Sequence, residues 1–327
     1  VHATDTWNTA EMTTRTVGAG HGWKWIVQGV NVGRANPRAV YGATAIVALL
    51  ALIPNVLQAI AQIAFGLDAN TQVMLIGATS LVSIIVYPLL IAGVLHVIDA
   101  AEHGRPAQPT DLFAVFTGGN AGRLIGFGVL MGALYIATFY ALVSAFGDGV
   151  VDWYMQVLTI SQEMSAQTGP ATPPDLPLPP AGIAPLMALA IFFGVYYATV
   201  YAIGLGQVAL GGRPVMQAFT DGLGGALRNV LPVVVAAAIA MAGGFALMLA
   251  FAMVVTLISV VASLVHPGLA ALLVLPLYLI LLLILYIVMF GAMYAMWRDV
   301  CGPQDDASTG GQTSGAGSHG DNSRIEL

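Results

Sequence analysis

Charged side chains are sparse along this chain, and the stretches between them are apolar and long enough to cross a bilayer. A helix needs about 20 such residues to traverse the hydrocarbon core. No Asp, Glu, Lys or Arg lies between Arg38 and Asp68, and Val40 to Phe65 reads as a first span. The same reasoning gives a second span from Val73 to Ile98, a third from Leu124 to Phe146 and a fourth from Ile183 to Leu210. Between Arg228 and Arg298 there is no charge at all, over a length too great for one crossing. His266-Pro267-Gly268 interrupts it with turn chemistry, which predicts a fifth span from Val230 to Leu257 and a sixth from Leu269 to Met296.

Six spans put both ends of the chain and the even-numbered loops on one side. Arg15, Lys24, Arg34, Arg38, Arg105, Arg123, Arg213, Arg228, Arg298 and Arg324, all the Lys and Arg of the chain, then fall on that side. The opposite loops carry Asp68, Asp148, Asp152, Glu163 and Asp175. The positive-inside bias makes the basic side cytoplasmic, and a bacterial inner membrane is the expected location.

Composition agrees. Hydrophobic residues make up 58% and charged residues 8% of the 327, against roughly 25% charged in a soluble domain. A soluble fold this poor in charge would expose large apolar patches. The net charge of −6 gives no sign of a nucleic-acid partner. Cys301 is the sole cysteine, so the chain has no internal disulfide. Residues 1–22 read as a flexible polar leader without the apolar core of a signal peptide, and Met12 reads as the natural start. Residues 23–301 form the membrane domain. From Gly302 on, residues 302–327 read as a disordered tail, too polar to offset ordering entropy. Between spans three and four, Trp153 and Tyr154 suggest an interfacial anchor, and the Pro-rich run that follows suggests a semi-rigid spacer.

A threefold repeat is visible. Gly212-Arg213-Pro214 with Phe219 precedes span five, Gly104-Arg105-Pro106 with Phe113 precedes span three, and Trp25 with Arg34, Asn36 and Pro37 precedes span one. Each unit reads as a Gly-rich interfacial helix followed by a helical hairpin, with its aromatic in the acyl boundary and its Arg near the phosphates. The expected architecture is therefore an all-α polytopic bundle of six transmembrane helices in three repeats.

Candidate chemistry is thin. His96 and Asp99 share a helix face at spacing three, and His103 lies about one turn further. Together they suggest a metal site or a proton path, against the plainer reading of solvated headgroup-level side chains. Gln207 lies at the matching place in span four and reads as an interhelical hydrogen-bonding group. Trp25, Arg34, Arg105, Arg123, Arg213, Arg228, Trp297 and Arg298 are the expected lipid or partner contacts. No motif for a cofactor, a metal or a catalytic nucleophile is present.

Residues 15–26, Arg-Thr-Val-Gly-Ala-Gly-His-Gly-Trp-Lys-Trp-Ile, with Gly29, Asn36, Pro37, Pro88-Leu89, Gly93, Asp111-Leu112-Phe113 and the closing Tyr294 to Val300, resemble a family of uncharacterised bacterial six-span integral membrane proteins. The resemblance covers about Met12 to Gly302 and implies no particular activity. The chain departs from it at Met296 and Trp297, where a small polar residue and Tyr are usual. More distantly it resembles the membrane portion attached to some glycerophosphodiester phosphodiesterases, without their catalytic domain. The expected function is a non-enzymatic organiser of membrane lipids or of a protein partner. A small-solute transporter or channel is the alternative, and an intramembrane enzyme built on His96, Asp99 and His103 is the third reading.

Overall fold

The computed structural model describes residues 14–166, 176–264 and 266–303, and every regular element among them is helical. In chain order these are α1 (Gly20–Asn31), α2 (Pro37–Phe65), α3 (Ala69–Glu102), a 3-10 turn (Pro109–Phe113) running into α4 (Ala114–Thr117), α5 (Ala121–Phe146), α6 (Val150–Ala166), α7 (Ile183–Ala209), α8 (Val215–Arg228), α9 (Val230–Ser263) and α10 (Pro267–Cys301). Six of them, α2, α3, α5, α7, α9 and α10, are long and apolar enough to cross a membrane. The protein is an all-α polytopic membrane bundle.

Local chemistry sets the helix ends. Pro37 opens α2 where a missing N–H costs nothing, and the Asn36 side chain accepts the Ala39 N–H at 3.2 Å. Gly66, in the left-handed region at φ 56°, ends α2 and donates its N–H to Gln62 O at 2.9 Å. Two residues later the Asp68 carboxylate caps α3 by accepting the Thr71 N–H at 2.9 Å. That capping by Thr71 holds the Asp68 carboxyl below its ordinary pKa. At the other ends of the second and fourth spans, Gly104 and Gly212 take the same left-handed turn, at φ 66° and 63°, before Arg-Pro. Some helices run past the stretches that hydropathy outlines. The 35 residues of α10 rise about 50 Å at 1.5 Å each, more than the roughly 30 Å of hydrocarbon. Its last turns lie inside protein, so lipid does not limit them.

The packing is cyclic. Helices α3, α7 and α10 pack against one another at the centre. Helix α2 fits between α10 and α3, α5 between α3 and α7, and α9 between α7 and α10. The short segments follow the same order. The 3-10 turn packs on α2 and α3, α8 packs on α7 and α5, and α1 closes the circle on α9 and α10. Glycines permit these contacts, as small residues do between helices in lipid. A Cβ on Gly29 of α1 would stand 2.5 Å from Val288 O of α10, and one on Gly222 of α8 would stand 2.6 Å from Val200 O of α7. Gly93 of α3 likewise lies directly under the Leu112 backbone.

Two sequence expectations need correction. Residues 14–22 do not belong to a flexible leader: Arg15 N–H bonds Val300 O at 2.9 Å, Val17 N–H bonds the Asn229 side chain at 2.8 Å, and α1 begins at Gly20. The strap is ordered because it supplies donors that the end of α10 lacks. The segment after α5 is not plain spacer either, since Val150–Ala166 carries no Gly or Pro and forms α6. Trp153 in α6 donates to Pro177 O at 2.9 Å, so its indole fastens the returning chain. Residues 1–13, the Pro-rich run at 169–174 and residues 304–327 lie outside the described residues.

Burial divides the molecule across its length. Every Lys and Arg among the described residues stands at one end, and the core lies in that half: Ala39–Ala48, Leu89–Ala101, Leu124–Met131, Val200–Ala209 and Phe290–Cys301 supply most of it. In the other half the spans show apolar side chains outward, such as Ile63 at 86% and Phe245 at 73% exposure. We expect Gly222→Ala to lower thermal stability in detergent by about 1–3 kcal/mol through overpacking. Gly243→Ala, where a Cβ would meet nothing within 4 Å, should hold or raise the melting temperature. Equal melting temperatures for the two variants would disprove the close approach of α8.

Candidate functional site

The last two turns of α10 gather most of the polar side chains at the basic end. A helix terminus leaves four carbonyls without intrahelical partners and carries partial negative charge. Arg15 answers both. Its Nε donates to Asp299 O at 3.0 Å, and its Nη2 donates to Arg298 O at 2.7 Å and Gly302 O at 2.9 Å. Asp299 turns its carboxylate toward α1 and accepts Trp25 Nε1–H at 2.9 Å. One turn earlier, Trp297 Nε1–H donates to Gln207 Oε1 of α7 at 3.3 Å. The other end of that amide donates to Asp221 of α8 at 2.8 Å, and Arg213 Nε lies 3.6 Å from the same carboxylate. Gln207 is fully buried, and both ends of its amide are engaged, as burial of a polar group requires. Tyr294 OH donates to Asp99 of α3 at 3.0 Å. One helix end thus bonds to α1, α3 and α7, and through Gln207 to α8.

An asparagine precedes each odd span, and two of the three perform one task. Asn36, before α2, donates to Ala107 O at 3.2 Å on the strap leading into the 3-10 turn. Asn229, before α9, accepts Val17 N–H and donates to Arg15 O at 2.9 Å on the strap leading into α1. By this pattern Asn120, before α5, would hold the strap leading into α8. Arg123 holds it instead, donating to Gly212 O at 2.9 Å. Asn120 makes no side-chain cap and lines a hollow of about 350 Å³ together with His96, Arg105 and Asp111. A second hollow, of about 470 Å³, lies at the opposite end between α6 and Pro177.

The candidate residues therefore part company. Asp99 is paired with Arg105, accepts Tyr294 OH and lies 3.3 Å from His103 Nδ1, whereas His96 faces the hollow. Among the described residues no group of three His, Cys, Asp or Glu could hold a metal ion. Trp25 and Trp297, expected at the lipid interface, are 0% and 4% exposed. Their rings turn into the bundle because each indole N–H has an internal acceptor. Arg105, Arg123 and Arg228 are exposed but carry internal bonds, Arg228 to Thr14. Arg298 lies over the Tyr294 ring at 5.8 Å. Lys24, Arg34 and Arg38 are exposed and pair with no carboxylate among the described residues. Sequence reasoning passed over Asp221 and Asn229. The first sits in the first half of an amphipathic segment, and the second recurs with Asn36 and Asn120 at the head of each odd span.

Asn229→Ala strands the Val17 N–H and the Arg15 carbonyl, while the Gly225 carbonyl keeps the backbone N–H of residue 229. A melt in detergent should show a loss of about 1–3 kcal/mol for buried groups left unpaired. Asn120→Ala should stay within about 0.5 kcal/mol of the parent. A comparable loss at both positions would refute the asymmetry.

No family model, curated protein or solved structure matches the chain.

Proposed function

We propose that this integral membrane protein organises lipid or a protein partner in a bacterial inner membrane, with the basic end and both termini in the cytoplasm, and catalyses no reaction. One observation carries the reading. Four polar side chains of the basic end, the buried Gln207 and Asn229 and the part-buried Asp99 and Asp299, are engaged with neighbouring side chains and backbone. What remains for outside contact is the apolar flank of the spans and a rim of free cations, Lys24, Arg34 and Arg38. A cation rim beside an apolar flank suits anionic or zwitterionic lipid at a membrane surface.

The cyclic packing of short segments on hairpins supports reading the chain as three related units. Transport is favoured less. Among the prolines inside spans, Pro88 of α3 sits directly on Gly128 of α5, so the site where its helix ladder is interrupted is filled.

Purification in native lipid particles, with mass spectrometry of all that co-purifies, tests the role. A reproducible phospholipid or protein partner is the expected result, and a small polar metabolite would turn the reading to solute transport. Orientation is tested on whole cells in a Cys301→Ser background with a membrane-impermeant maleimide. Asp68→Cys should label from outside and Lys24→Cys should not; the reverse pattern would invert the topology.

A further inference from the structure

We propose that the hollow beside Asn120 binds the phosphoethanolamine head of a membrane phospholipid, a site that rests on the lipid-organising reading above. The argument starts from the broken cycle. At two of the three junctions, asparagine closes the gap between an odd span and the next strap. At the third, Arg123 takes over the strap and the segment before the span is short, a five-residue 3-10 turn and the four-residue α4. The corresponding segments α1 and α8 have 12 and 14 residues. The hollow lies between the end of α3, the strap at Arg105 and Ala107 and this short segment, and its volume of about 350 Å³ falls in the range of ligand sites.

The lining has the chemistry of a zwitterion. Arg105 uses part of its guanidinium on Asp99 and retains N–H groups, which suit a phosphate oxygen. The Asn120 amide adds a donor from the head of α5, beside the His96 imidazole of α3. Asp111 accepts the Gln108 N–H at 2.7 Å through one oxygen, and its other oxygen is available to an ammonium. Phe113 and Phe116 belong to the same short segment as the lining residues Asp111, Ala114 and Val115, with rings 6.0 Å apart, and both are exposed. Aromatic rings at the acyl boundary beside a phosphate site favour a headgroup that carries chains over a soluble phosphate.

The test is native mass spectrometry of the full chain released from detergent, with phosphatidylethanolamine and phosphatidylglycerol supplied in equal amounts. The parent should retain phosphatidylethanolamine preferentially. Asn120→Leu should lower that retention about tenfold, the effect of losing one charge-assisted bond. It should fold, because Asn120 holds no strap, and an unchanged melting temperature verifies this. Asp111→Asn should keep phospholipid but lose the preference for ethanolamine over glycerol heads. Specific retention by the parent that is unchanged in Asn120→Leu would overturn the site and leave the lipid-organising reading standing. No retention by the parent would overturn both. Binding of free O-phosphoethanolamine without retained lipid would overturn the membrane source.

Discussion

A helix that ends against protein leaves carbonyls that need donors from elsewhere in the chain, and the end of α10 is the place where this fold meets that demand. Arg15 supplies three donors from a strap that lies far away in sequence, and the strap is fixed in turn by Asn229. The N-terminal segment, the third short helix and the last span thus form one connected unit. Trp25, Trp297 and Tyr294 extend it to α1, α7 and α3. Removing the Trp297 donor leaves the buried Gln207 oxygen unpaired, which is costlier than the bond was worth.

That connected end explains why the two halves of the molecule differ. Close glycine contacts make the basic half densely packed, and most of its buried polar atoms are hydrogen-bonded, Gln28 Oε1 and Arg213 Nε excepted. The spans beyond it carry few side chains that need an internal partner, so lipid can take the place of protein neighbours along them. A rigid end with apolar arms is suited to holding lipid or a partner in a set arrangement. The exposed cations Lys24, Arg34 and Arg38 sit at that same end.

The departure from cyclic order is informative in its own right. Asn36 and Asn229 bridge their junctions, whereas Asn120 does not, and Arg123 reaches Gly212 in its stead. A repeat that keeps its residue but releases it from its structural task leaves that residue available. Here the released amide shares a hollow with His96, Arg105 and Asp111, groups that the fold of residues 96–120 brings to one place.

The number of spans, their approximate limits and the segregation of positive charge follow from the sequence alone, because transfer to lipid depends on local composition over some 20 residues. The hairpin turns at Gly66-Leu67-Asp68 and His266-Pro267-Gly268 are equally local. The glycine faces and the short segments before each odd span were visible too, though α6 was masked by the Pro-rich run that follows it. What only the tertiary structure decided is which groups face inward. Trp25 and Trp297 have the composition of interfacial anchors, yet each has an internal acceptor on another helix. Asp99 and His96 share a helix face by spacing, yet one is drawn to Tyr294 and Arg105 and the other to the hollow. Hydropathy responds to the solvent around a helix, whereas a hydrogen-bond partner hundreds of residues away depends on how the three hairpins close around α10.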